Sequence, residues 1–91
     1  MGLPDAFYLS QNYPNPFNPS TKIDYVVSSG EKVSLKVYDL LGREVATLVD
    51  EYKQAGNYTV TFNAENLTSG VYIYRLVSGE NNAMNRMLLI K

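Results

Sequence analysis

From Thr21 onward, apolar and polar side chains alternate with a period of two, and that pattern leaves the chain little to fold into except antiparallel sheet. Ile23, Tyr25 and Val27 alternate with Lys22, Asp24 and Val26; Val33, Leu35 and Val37 alternate with Lys32, Ser34 and Lys36; Tyr58, Val60 and Phe62 alternate with Thr59, Thr61 and Asn63. Successive side chains of a strand point to opposite faces, so each of these segments turns one face to a core and the other to solvent. Turn residues separate them at short intervals: Ser28 to Glu31, Asp39 to Gly42, Lys53 to Asn57, Asn66 to Gly70 and Ser78 to Asn82. Asp39-Leu40-Leu41-Gly42 places Asp where a type I turn uses it and Gly where a positive φ is needed. Arg43 to Asp50, Val71 to Val77 and Ala83 to Ile90 complete six strands, and Phe7 to Leu9 supplies a short first strand or an edge strap. The prediction is an all-β, two-sheet antiparallel sandwich of about seven strands. Leu40 to Tyr52 reads as a helix only if the break at Gly42 is ignored.

Proline is confined to the other end of the chain. Pro4, Pro14, Pro16 and Pro19 are the only four. A proline donates no backbone hydrogen bond and pushes the residue before it toward extended conformations, so residues 11–20 are expected to form an irregular loop tied down by aromatic anchors.

Composition narrows the chemistry. Ninety-one residues suffice for one small domain. Eight basic and nine acidic residues leave a net charge of −1 with no cluster of Lys and Arg, which argues against nucleic acid as a partner. No apolar run approaches a membrane-spanning length, so no direct membrane insertion is expected. Met1-Gly2 reads as an added start, which leaves room for an export signal further upstream. Without cysteine there is neither a disulfide framework nor a thiolate metal site. Without histidine there is no imidazole base, and the catalytic repertoire is thin. No cofactor is expected.

Three sets of residues remain as functional candidates. Eight tyrosines could stack on sugars or build an interface, but tyrosine is also a favoured strand residue and packs well across strands. Tyr72 and Tyr74 share one strand face, opposite Val71, Ile73 and Val77. The carboxylates Asp50, Glu51, Glu44, Glu65 and Glu80 are scattered, with nothing to pair any two across a cleft as a glycosidase requires. The closing hairpin from Gly70 runs to the last residue, Lys91. Such an arrangement is expected to hold the terminus in register and leave it open to a partner that adds a strand beside it.

Four blocks of sequence carry a resemblance that covers about residues 8–91. They are Tyr13-Pro-Asn-Pro-Phe-Asn-Pro-Ser-Thr21, Leu35-Lys-Val-Tyr-Asp-Leu-Leu-Gly-Arg-Glu-Val45, Gly70-Val-Tyr-Ile-Tyr-Arg75 and Arg86-Met-Leu-Leu-Ile-Lys91. In order and spacing they resemble the C-terminal sorting domain of the type IX secretion system. The resemblance implies an immunoglobulin-like antiparallel β-sandwich of about seven strands at the end of a large secreted protein of a Bacteroidetes-like bacterium. It implies a non-catalytic signal that carries an upstream cargo domain from the periplasm across the outer membrane, to the cell surface or into the medium. Its implied partners are the secretion machinery and a sortase-like protease of the outer membrane, which commonly removes the domain.

Carried onto this chain, Gly70, Tyr72, Arg86, Leu89, Ile90 and Lys91 match the motifs associated with recognition. Tyr13, Pro14, Asn15, Pro16, Phe17, Asn18 and Pro19 match the opening motif, and Gly42 lies in the second block. Residues 1–7 are read as a linker or a remnant of cloning, and 8–91 as the sorting domain. The alternative is an accessory carbohydrate-binding or spacer module of an extracellular glycoside hydrolase; a flat exposed line of Tyr38, Tyr52, Tyr72 and Tyr74 would favour it. Edge-strand self-association is a further expectation, because open sandwiches have unpaired edges.

Overall fold

A computed structural model describes residues 7–91; most of the expected linker, residues 1–6, lies outside the described residues. Seven strands form in chain order: β1 (Tyr8–Leu9), β2 (Ser20–Val27), β3 (Glu31–Tyr38), β4 (Glu44–Lys53), β5 (Gly56–Asn63), β6 (Gly70–Ser78) and β7 (Asn81–Leu89). They make two antiparallel sheets, one ordered β1-β2-β5 and the other β4-β3-β6-β7. There is no helix among the described residues.

The alternation read from the sequence becomes the core. Ile23, Tyr25 and Val27 from β2 face Val33, Leu35 and Val37 from β3, and Tyr72, Tyr74 and Leu76 from β6 join Met87 and Leu89 from β7. Tyr25 stacks on Tyr58 with ring centroids 5.3 Å apart, a cross-strand pair at the register position Tyr25↔Tyr58. β4 breaks the pattern. Its pairing with β3 skips Leu48 and Val45, and these two bulges bring Leu48 and Ala46 against the core, where strict alternation from the buried Val49 would turn them outward. The bulged strand runs from Glu44 to Lys53, later than the expected Arg43 to Asp50.

Strand registers give the sandwich two poles along its 43 Å length. At the proximal pole lie Tyr8, the Ser28 to Gly30 turn, the β4–β5 connection and the Gly79-Glu80 turn. At the distal pole lie Ser20, the Asp39 to Gly42 turn, the Ala64 to Ser69 loop and the last residues of the chain. The chain therefore enters at one pole and finishes at the other.

The opening segment closes one side of the sandwich. Along β2, β1 pairs with Tyr25 and Val26, Ser10 donates to the Asp24 carbonyl, and Tyr13 exchanges both backbone hydrogen bonds with Lys22. Along β7, the same segment supplies Gln11, Asn15 and Phe17. The Tyr13-Pro14, Asn15-Pro16 and Asn18-Pro19 bonds are all cis. Phe17 is 2 % exposed, and its ring meets that of Phe62 with centroids 6.2 Å apart. An aromatic anchor of this proline-rich loop is thus a core residue.

Candidate functional site

The end of the chain is fixed from several directions. β7 stops at Leu89, one residue short of the predicted Ile90, because the chain there leaves β6 and turns to the opening loop. The Ile90 amide donates to the Phe17 carbonyl at 3.0 Å, and the Lys91 amide donates to Ser69 Oγ at 2.9 Å. Lys91 Nζ donates to the Glu65 carbonyl. The terminus is therefore held in one position, with its side chains outward.

Strand addition beside this segment meets an obstacle. The Arg86 carbonyl accepts from Gln11 Nε2, the Leu88 amide donates to Asn15 Oδ1, and the Leu88 carbonyl accepts from the Phe17 amide. The outer edge of β7 is thus occupied over its closing half by the opening motif. The first and last sequence blocks form one structure, and a partner meets the closing block through side chains and the pole rather than through a free strand edge.

A buried polar hub holds that strap. Tyr74 points into the core, where its hydroxyl accepts from the Asn12 amide at 2.8 Å and donates to the Ser10 carbonyl at 2.7 Å. Asn85, directly opposite Tyr74 in the register, donates through Nδ2 to the carbonyls of Leu9 and Ser10. Asn12 Nδ2 donates to Thr21 Oγ1, which in turn donates to the Pro14 carbonyl. No buried side-chain polar atom among the described residues lacks a partner, as an unpaired one would be costly here. Burial pushes the Tyr74 hydroxyl above its ordinary 10.0.

Sequence reasoning missed this hub. Tyr74 was legible as a strand residue, but its contacts reach 62 and 64 positions back along the chain. The available signal was the pairing of a buried tyrosine with polar Asn85 on a core face.

The distal pole carries three of the exposed apolar side chains, while Tyr8 and Tyr52 stand toward the proximal pole. Leu40 and Leu41 are 65 % and 78 % exposed at the tip of the β3–β4 turn, and Ile90 is 49 % exposed. The turn is stapled: Asp39 Oδ1 accepts from the amides of Leu41 and Arg43, and Arg43 Nε donates to Asp39 Oδ2 at 2.7 Å. The Arg43 amide, with its guanidinium, holds the Asp39 carboxyl below its usual range. Gly42 has the positive φ the turn pattern predicted, +85°, with open space where a Cβ would stand.

The candidate residues fall into two groups. Arg86, Ile90 and Lys91 are exposed, whereas Tyr72 and Leu89 are core residues. The Tyr72 hydroxyl donates to the Thr68 carbonyl at 2.7 Å, which ties β6 to the loop under the last residues. Gly70 opens β6 at φ +154°, a backbone state side chains rarely adopt, with nothing near its missing Cβ.

The sugar-stacking line is not formed. Tyr72 and Tyr74 belong to the core, while Tyr52 stands on the outer face of β4. Tyr38 has the opposite strand parity to the buried Val37. Two of the four tyrosines therefore face away from the other two. Among the described residues no three acidic side chains cluster to hold a metal ion. The carboxylates Glu44, Asp50 and Glu51 are instead spread along β4, paired respectively with Lys36, Lys32 and Lys53.

Comparison with known proteins agrees with this geometry. No curated protein matches the chain. A solved structure of PorZ, an essential bacterial surface component of the type-IX secretion system of Porphyromonas gingivalis, shares the fold with a TM-score of 0.60 at 22 % identity. The likeness covers 96 % of this chain and 12 % of that one, so this chain spans about an eighth of the PorZ chain's length. The family described as the secretion system C-terminal sorting domain matches residues 11–91, which include all four sequence blocks, the strap and the distal pole. The chain therefore belongs to the family of secretion-system C-terminal sorting domains, the sorting signals of the type IX route.

Proposed function

We propose that residues 8–91 act as a folded, non-catalytic address whose distal pole is read by the secretion machinery, while a cargo joined ahead of Phe7 hangs from the proximal pole. The observation that carries this reading is the fixing of Ile90 and Lys91 by Phe17, Ser69 and Glu65 at the pole opposite the chain's entry. A cargo attached ahead of β1 leaves that surface uncovered. Leu40, Leu41 and Ile90 supply apolar contact, and Arg86 and Lys91 supply charge. Gly70, Tyr72 and Leu89 hold the shape that presents them. In this reading the destination is the cell surface or the medium, reached through the periplasm, and a sortase-like protease of the outer membrane acts on the segment ahead of the sandwich.

The test is a fusion of residues 8–91 to a periplasmic reporter in a host with a working type IX system. The reporter is expected outside the outer membrane, and its retention in the periplasm overturns the reading. Because deleting Arg86 to Lys91 also removes strand pairing, the discriminating variants are Leu41→Asp and Lys91→Glu. Both side chains are exposed, so the fold is expected to persist while export falls. Unchanged export in both would move the recognition surface away from this pole.

A further inference from the structure

The two sheets have four edge strands, and three of them carry devices that discourage pairing with another chain. β1 is two residues long, and the opening segment continues its cover of β2 through Ser10 and Tyr13. β7 is capped over its closing half by Gln11, Asn15 and Phe17. β4 bears Glu44, Asp50, Glu51 and Lys53 and is bent by two bulges. Short edges, charges, bulges and covering loops are the usual ways a sheet avoids edge-to-edge association.

β5 has none of them. From Gly56 to Ala64 there is no charged residue and no proline, and its eight residues pair with β2 without a register shift. Its outer side meets no backbone partner among the described residues. Nothing else in the sandwich presents so regular a row of open peptide groups.

We propose that β5 is an interface for a second copy of this chain, pairing antiparallel about a two-fold axis through Val60. The sequence of the strand is self-complementary in that register. Val60 lies opposite its own copy, Thr59 opposite the second copy's Thr61, Tyr58 opposite its Phe62, and Asn57 opposite its Asn63. Apolar side chains meet apolar ones on the inner face, and threonines meet on the outer face, where Thr59 and Thr61 are exposed. A register moved by one residue would set the inner row of one copy against the outer row of the other. The result is a continuous six-stranded sheet, β1-β2-β5 joined to β5-β2-β1 of the partner copy, and a self-complementary contact of the kind two-fold dimers use.

The contact runs along the outer edge of β5, in the sheet opposite the one that carries Leu40, Leu41 and the end of β7. The proposal therefore does not depend on recognition at the distal pole.

Sedimentation equilibrium over a wide concentration range is expected to show a monomer–dimer equilibrium for residues 8–91. The double variant Thr59→Lys with Thr61→Lys sets like charges opposite each other in two rows and is expected to weaken the dimer about tenfold or more. Circular dichroism and thermal melting confirm that it stays folded. Register is read by thiols, since the chain has no cysteine of its own. A mixture of Thr59→Cys and Thr61→Cys chains is expected to form the mixed disulfide in preference to either symmetric one, because only the mixed pair lies directly opposite and within disulfide reach. A protein that is monomeric throughout, a dimer indifferent to the lysine pair, or an absence of preference for the mixed disulfide would each overturn the proposal.

Discussion

Tyr74 shows how one atom can tie distant parts of a sequence together. Its hydroxyl is both acceptor for Asn12 and donor to Ser10, so Tyr74→Phe leaves the buried Asn12 amide without a partner, while the Ser10 carbonyl keeps Asn85. An unsatisfied buried donor costs about 1–3 kcal/mol, and a urea midpoint is expected to report a loss of that size. Tyr72→Phe removes a single bond to Thr68 and is expected to lose about 1 kcal/mol. The same burial acts on titration. Tyr25 and Tyr74 are both raised above their ordinary 10.0, chiefly because burial penalises the phenolate. A raised folded pKa means that the folded state binds more protons than the unfolded state as alkali is added. Their contribution is thus fully present below about pH 10 and is lost as pH rises through the folded values. Unfolding by urea is expected to need less denaturant at about pH 11 than at about pH 8, and in Tyr74→Phe that difference should shrink.

The Asp39 to Arg43 turn is the element whose conformation was most legible in advance. Its Asp and Gly positions foretold the turn and the positive φ at Gly42, +85°, and the structure adds the carboxylate that staples it. Because nothing lies near the missing Cβ, the penalty for a side chain there is set by the backbone alone. Gly42→Val is expected to destabilise the domain by about 1–2 kcal/mol, and Gly42→Asn by less, since asparagine tolerates the left-handed region. Thermal melts of the two variants check the order. β2, β3 and β5 were equally legible, each having one buried and one open face and so a clean alternation. β4 was not. Its two bulges bring Ala46 and Leu48 inward beside Val45 and Val49, and no period of two survives that shift. The faces of β6 were ambiguous for a different reason: Tyr72 and Tyr74 alternate with apolar Val71 and Ile73, so pattern alone could not choose between them. Packing chose the tyrosines for the core, because each hydroxyl finds a carbonyl there.

At the scale of the whole molecule, the arrangement that matters most joins the two ends of the sequence. Similarity of motifs located the opening and closing blocks separately, but their contact spans some seventy positions, from Gln11, Asn15 and Phe17 to Arg86, Leu88 and Ile90. No local pattern encodes a pairing of that range. Phe17 is where the joint can be tested. Its ring is buried against Phe62, while its backbone holds Leu88 and Ile90 on either side. Phe17→Ala removes the ring and is expected to destabilise the domain by about 3–5 kcal/mol, the usual range for a buried phenylalanine. The loss should not be uniform. If the ring anchors the strap and the strap caps β7, local opening in the variant uncovers the end of the chain first. Hydrogen exchange is then expected to speed up at the Leu88 and Ile90 amides by more than at β3 amides such as Leu35, which pair only with strands inside the same sheet. Equal acceleration at all of these amides would mean that the strap and the sandwich open as one unit. The closing block would then be held by the fold as a whole rather than by the opening motif.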